Sequence, residues 1–217
     1  MPDFSALRTA MVDCQVRPSD VTKFPIIDAM LAIPREEFVP AALRDIAYAG
    51  GDLNLGGGRV VLDPRVFAKM LDALAIGSGD MVLEIGAGHG YGTAVLSHMA
   101  EAVIAVETDE AMAGEAENNL SEQGVDNAFV VAGDLTAGAE KHGPYDAILI
   151  EGGVEEVPAA LLAQLKDNGR IGAIFMEGPQ GHFRIGLKSA GKISWRTIFD
   201  ATCPVLPGFE RKPTFAL

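Results

Sequence analysis

The chain has 217 residues, a length that suits a single domain spanning 1–217 and large enough to bury a core without disulfide or metal staples. At 48% hydrophobic and 22% charged residues it is not a disordered tail, and a formal charge of −13 with scattered lysines and arginines disfavours a nucleic-acid partner. Cys14 and Cys203 read as buried reduced thiols, and no apolar run approaches the roughly 20 residues needed to span a bilayer, so a cytoplasmic protein is expected.

Residues 1–78 read as a helical extension. Phe4, Leu7, Met11 and Val12 recur at helical spacing up to Arg17-Pro18. Ser19 or Asp20 is then placed to cap a helix carrying Ile26, Ile27, Met30 and Leu31, which ends near Ile33-Pro34. Gly50 to Gly58 reads as a glycine-rich loop. Asp63-Pro64 opens a further helix with Val66, Phe67, Met70, Leu71 and Leu74 turned inward.

Residues 79–217 change rhythm. Strands are predicted at Met81 to Ile85, Ala102 to Val106, Ala128 to Val131, Tyr145 to Ile150 and Arg170 to Met176. Helices are predicted at Tyr91 to Met99, Glu110 to Gln123 and Val157 to Leu165. This alternation predicts an α/β, Rossmann-like fold with a mostly parallel central sheet and helices on both faces. Phe183 to Phe199 reads as antiparallel edge strands with Gly191 in a turn.

Ligands of such sheets bind outside the carboxyl ends of the strands. The first strand ends in Glu84-Ile85-Gly86-Ala87-Gly88-His89-Gly90-Tyr91-Gly92. Glu107 ends the second strand, about 20 residues on, the offset at which an acid reaches ribose hydroxyls. Asp134 follows the third strand, where an acid can accept from an adenine amino group. Neither glycine register places a third small residue as the dinucleotide fingerprint requires, and no Gly-Lys-Ser/Thr loop is present. An acid followed by Gly-x-Gly-x-Gly, with no nearby cation for a phosphate, suits a cationic and phosphate-free nucleoside such as S-adenosyl-L-methionine. The expected ligand contacts are Glu84, Gly86, Gly88, Tyr91, Glu107 and Asp134. His89, His98, His142 and His182 lack zinc-site spacing, and no metal is expected.

The chain resembles the protein-L-isoaspartate O-methyltransferases, which act in protein repair by methylating the isoaspartyl α-carboxylate. The segments that carry the resemblance are 82–96, Ile33-Pro34-Arg35-Glu36-Glu37-Phe38-Val39-Pro40, Ala47-Tyr48, Gly133-Asp134 and Pro144-Tyr145-Asp146-Ala147-Ile148. Together they cover roughly Met11 to Phe175. The resemblance implies the methyltransferase fold, S-adenosylmethionine as cofactor, and cofactor contacts at Gly86, Gly88, Glu107 and Asp134. The family's Gly-x-Gly-Gln-Thr-Ile-Ser-x-Pro loop is here Gly56-Gly57-Gly58-Arg59-Val60-Val61-Leu62-Asp63-Pro64, so Val60 and Leu62 replace two hydroxyl residues. Its Val-Thr-Ala-Ala after the fourth strand becomes Ile150-Glu151-Gly152-Gly153. The segment 203–217 is only weakly similar to the family's ending.

Three readings follow. The first is an O-methyltransferase acting on a peptide or protein carboxylate, with Arg59 as the guanidinium that orients it. The second is a small-molecule methyltransferase with Glu151 as general base. The third is a non-catalytic S-adenosylmethionine-binding protein. Oligomeric state stays open.

Overall fold

A computed structural model describes residues 2–211; of the weakly similar segment 203–217, residues 212–217 lie outside this range. Asp3 accepts the Ala6 N–H at 3.0 Å and starts α1 (Phe4–Met11). The helix continues through a π-helical turn, Val12–Val16, and a 3-10 turn, Arg17–Ser19, to Asp20 at φ 64°. Asp20 in the left-handed region therefore closes this helix and does not cap the next one. α2 (Phe24–Ala32) starts after Lys23 with Pro25 in its first turn, and ends at Ile33.

The expected loop at 50–58 is largely a hairpin. β1 (Leu53–Gly56) pairs antiparallel with β2 (Arg59–Val61), with Leu53 opposite Val61 and both side chains buried. The glycines are confined to its exposed tip, where Gly56, Gly57 and Gly58 have φ of 90°, 58° and 77°. This hairpin is a two-stranded sheet separate from the large one. Asp63 then caps α3 (Pro64–Leu74), accepting from Arg65 N–H at 2.8 Å, with the apolar stripe inward as predicted.

The core follows in βα rhythm: β3 (Met81–Ile85), α4 (Tyr91–Ser97), β4 (Ala102–Glu107), α5 (Glu110–Glu122), β5 (Ala128–Ala132), β6 (Tyr145–Val154), α6 (Ala159–Ala163), β7 (Leu165–Glu177), β8 (Gln180–Ser189) and β9 (Lys192–Asp200). The sheet order is β5-β4-β3-β6-β7-β8-β9; its first five strands are parallel, and β8 and β9 are added antiparallel. The predicted edge hairpin is thus present, with Gly191 at φ 75° in its turn. Strand order reverses between β3 and β6, which places a ligand crevice at the carboxyl end of β3.

Side chains of the parallel strands alternate between two buried faces, which is why each strand reads as a continuous apolar run. Val82, Val103, Ala147 and Leu149 pack with the N-terminal helices. Leu83, Ile85, Ile104, Val106, Ile148 and Ile150 pack on the other face against Leu161, Leu206 and Phe209. That second face is covered only in part by helix. The five-residue α6 shares the task with the irregular segment that follows β9, whose Leu206 N–H donates to the Gly153 carbonyl at 2.9 Å. Both thiols are free, Cys203 buried but Cys14 exposed, contrary to its expected burial. Among the described residues no helix is long and apolar enough to cross a membrane.

Candidate functional site

The turn after β3 holds Gly86, Gly88 and Gly90 at φ of 88°, 55° and 92°, a path that L side chains rarely adopt. Gly86 N–H donates to the Val106 carbonyl at 2.9 Å, which pins the bend beside the end of β4. Glu107 closes β4 with its side chain fully buried. Its Oε2 accepts the Gly88 N–H at 2.9 Å, and its Oε1 accepts Thr108 N–H at 2.8 Å and Asp109 N–H at 3.1 Å. The bend and the carboxylate thus form one unit across two adjacent strands. Gly133 N–H donates to the Glu107 carbonyl at 2.9 Å and ties in the end of β5. Asp134 beside it is exposed; the hydroxyl and N–H of Thr136 hold its carboxyl below the usual range.

Arg59 enters this unit from β2. Its Nε lies 3.2 Å from Oε1 and 3.0 Å from Oε2 of Glu107, and its Nη2 lies 3.0 Å from Oε1. The guanidinium is 3% exposed, and its Nη1 has no partner among the described residues. Leu55, on the other strand of the hairpin, brings Cδ1 within 3.0 Å of where a Cβ on Gly88 would stand. Arg59 and Glu107 were expected at the site separately, one for an acceptor and one for the ribose; the structure brings them together.

Glu84 and Glu151 form a second pair, beneath α4. Both are buried, and Thr93 donates its hydroxyl to Glu84 Oε2. The Oε1 atoms of both face the space beside Gly92, where any side chain would collide with them. Neither Oε1 meets a donor from elsewhere in the protein. Burial pushes the Glu84 carboxyl up to about 7. Burial, and then the neighbouring Glu84, push Glu151 well above the carboxylate range. Both causes favour the protonated form of Glu151. The sequence placed Glu151 at the cleft as a free base; the structure buries it against Glu84, where its carboxyl is pushed toward the protonated form. Glu84, expected as a ligand contact, has its carboxyl turned into this pair.

Tyr91 is also turned inward. Its ring packs against Phe38 and Phe67 at centroid distances of 6.0 and 5.8 Å, and its hydroxyl has no partner among the described residues. The Arg35 guanidinium lies 4.8 Å from the Tyr91 centroid. Arg35 itself is fully buried and donates to the carbonyls of Ala47 at 2.7 Å and Leu62 at 2.8 Å, fastening the N-terminal region to the chain entering α3. The sequence assigned Arg35 no role of its own; a lone arginine between Ile33-Pro34 and Phe38, in an otherwise buried stretch, was the available signal. Leu62, at the place of a family hydroxyl, is a core residue at 1% exposure.

Comparison with known proteins agrees with this frame. The profile of the protein-L-isoaspartate(D-aspartate) O-methyltransferases matches residues 8–199. A protein-L-isoaspartate O-methyltransferase of Methylorubrum extorquens is 40% identical over 181 residues, covering 83% of this chain and 78% of its own. One from Roseiflexus castenholzii is 39% identical over 189 residues, covering 87% and 86%. A solved protein-L-isoaspartate O-methyltransferase superposes with a TM-score of 0.80 at 26% identity, over 94% of this chain and 65% of that one. A Plasmodium falciparum structure in complex with S-adenosyl-L-homocysteine shares the fold, with a TM-score of 0.80 at 19% identity over 95% and 99%. The chain belongs to the protein-L-isoaspartate(D-aspartate) O-methyltransferase family.

Proposed function

We propose that the chain is an S-adenosylmethionine-dependent O-methyltransferase acting on a carboxylate of a protein or peptide, with the isoaspartyl group as acceptor. The observation that carries this reading is the buried Glu107 carboxylate fixed against the bend through Gly88 N–H at 2.9 Å. The donor set fits the cofactor. Glu107 would accept the ribose hydroxyls, Asp134 the adenine amino group, and the open backbone from Gly86 to Gly90 would take the amino-acid arm. S-adenosylmethionine supplies a methyl group on a sulfonium that leaves without needing a proton.

The chain's own work is then binding and orientation, which can supply about 7–11 kcal/mol of a barrier. An acceptor carboxylate is already ionised at neutral pH and needs no base. This favours the carboxylate reading over a hydroxyl or amine acceptor, because Glu151 is buried against Glu84 and its carboxyl is pushed toward the neutral form. Arg59 is the residue suited to orient the acceptor, since a guanidinium offers two parallel donors to a carboxylate. It must first leave Glu107.

A charge of −13 supports a protein or peptide acceptor over a nucleic acid. The free thiols of Cys14 and Cys203 suit a reducing, cytoplasmic compartment. The test is transfer from tritiated S-adenosylmethionine to an isoaspartyl peptide. Label should enter the peptide and be released as methanol on alkaline hydrolysis of the ester. No incorporation into isoaspartyl peptide, with the protein folded, contradicts the proposal.

A further inference from the structure

The carboxylate assigned to the ribose is fully subscribed by the chain itself. Two oxygens offer about four acceptor sites. On Glu107 they already receive Gly88, Thr108 and Asp109 N–H groups together with Nε and Nη2 of Arg59. The three backbone donors belong to the bend and to the turn into α5, and stay wherever the ligand is. Arg59 is the removable one.

Its surroundings have the features of a displaceable element. Arg59 stands in a two-stranded sheet that shares no strand with the seven-stranded one. The hairpin tip is three exposed glycines at positive φ, with nothing within 4 Å of where their Cβ atoms would be. Arg59 itself is buried, and among the described residues its Nη1 finds no acceptor. Leu55 belongs to the same hairpin and lies over Gly88. One element therefore closes both the ribose carboxylate and the glycine bend.

We infer that the β1–β2 hairpin is a gate on the nucleoside site, in which Arg59 competes directly with the cofactor's ribose for Glu107. The inference rests on the reading of Glu107 as the ribose carboxylate. Only the fraction of molecules with Arg59 withdrawn accepts the nucleoside, so the apparent dissociation constant is the intrinsic one divided by that fraction. The same withdrawal delivers a free guanidinium to the side of the site where the acceptor carboxylate enters. Nucleoside entry would thus prepare acceptor binding.

The test is calorimetric titration of S-adenosyl-L-homocysteine into the unsubstituted protein and into Arg59→Met, which keeps the apolar stem and removes the fork. The gate predicts at least tenfold tighter binding to Arg59→Met. It also predicts that the observed association rate of the unsubstituted protein levels off with ligand concentration, while that of Arg59→Met keeps rising. Binding to Arg59→Met that is equal or weaker overturns the gate and leaves the cofactor reading standing. No binding to either folded protein overturns both. Should Arg59→Met fail to fold, the 15N-labelled unsubstituted protein supplies the second measurement. The Arg59 Nε–H signal should be protected from exchange without ligand and lose that protection at saturation; a signal unchanged at saturation overturns the gate.

Discussion

Glu151 meets Glu84 in a space that exists because residue 92 has no side chain. Three features of the sequence converge on it: an acid inside a buried strand, a second acid at the end of β6, and a glycine in the first turn of α4. Thr93 donates its hydroxyl to Glu84 Oε2. The pair is stable only while it holds a proton, since two ionised carboxylates in contact inside a protein repel strongly.

The sign of the resulting pH dependence follows from proton counting. Glu84 has a folded value of about 7 against the ordinary 4.5, so between those limits the folded state binds more protons than the unfolded one. Stability contributed by the pair is therefore present in full below about pH 4.5 and is lost as pH rises through about 7. The loss is on the order of 3 kcal/mol from this shift alone. Glu84→Gln keeps the shape and removes the group that titrates in this range. Melting curves across pH 5 to about 8.5 should show a falling midpoint for the unsubstituted protein and a flatter profile for Glu84→Gln.

Gly92→Ala should be costly, because its methyl would collide with both carboxyl groups at once. Overpacking of this kind destabilises by about 1–3 kcal/mol. Urea unfolding measures it, and an unchanged midpoint would show that the two acids can part without penalty.

Leu62→Ser restores the hydroxyl that the family carries at this place, but it does so inside the core, where Leu62 is 1% exposed. Large-to-small changes at such sites cost about 2–5 kcal/mol. The variant should lose that much stability in urea unfolding, with no gain in methyl transfer to isoaspartyl peptide.

Tyr91→Phe tests how Tyr91 takes part in ligand binding. Its hydroxyl is buried and unpaired, and an unsatisfied buried group costs about 1–3 kcal/mol. The variant should be as stable as the unsubstituted protein or more so by about 1 kcal/mol, and should bind S-adenosyl-L-homocysteine equally well. A tenfold loss of affinity would show that the hydroxyl reaches the ligand.

The legible parts of the fold and site were those set by local pattern. Apolar runs marked β3 to β7, positive-φ glycines marked the bend, and Glu107 stood at the ribose offset. What the sequence hid depends on contacts between distant segments. Arg59 and Glu107 are 48 residues apart, and nothing in either neighbourhood announces the other. The hairpin at 53–61 was masked by the three glycines of its tip, which read as loop although Leu53 and Val61 pair behind them. Glu151 looked like a cleft base because the strand end was recognised but not the direction of its side chain. The pairing with Glu84 requires β3 and β6 to be neighbours, with Glu84 opposite Leu149 in register.

The central claim is that Glu107 grips the cofactor's ribose, and removing its charge tests that most directly. The comparison belongs in the Arg59→Met background, so that a loosened gate does not offset a lost contact. S-adenosyl-L-homocysteine should bind Arg59→Met/Glu107→Gln about a hundredfold more weakly than Arg59→Met, in line with hydrogen bonds to a charged acceptor. Equal affinity of the two proteins would contradict the account.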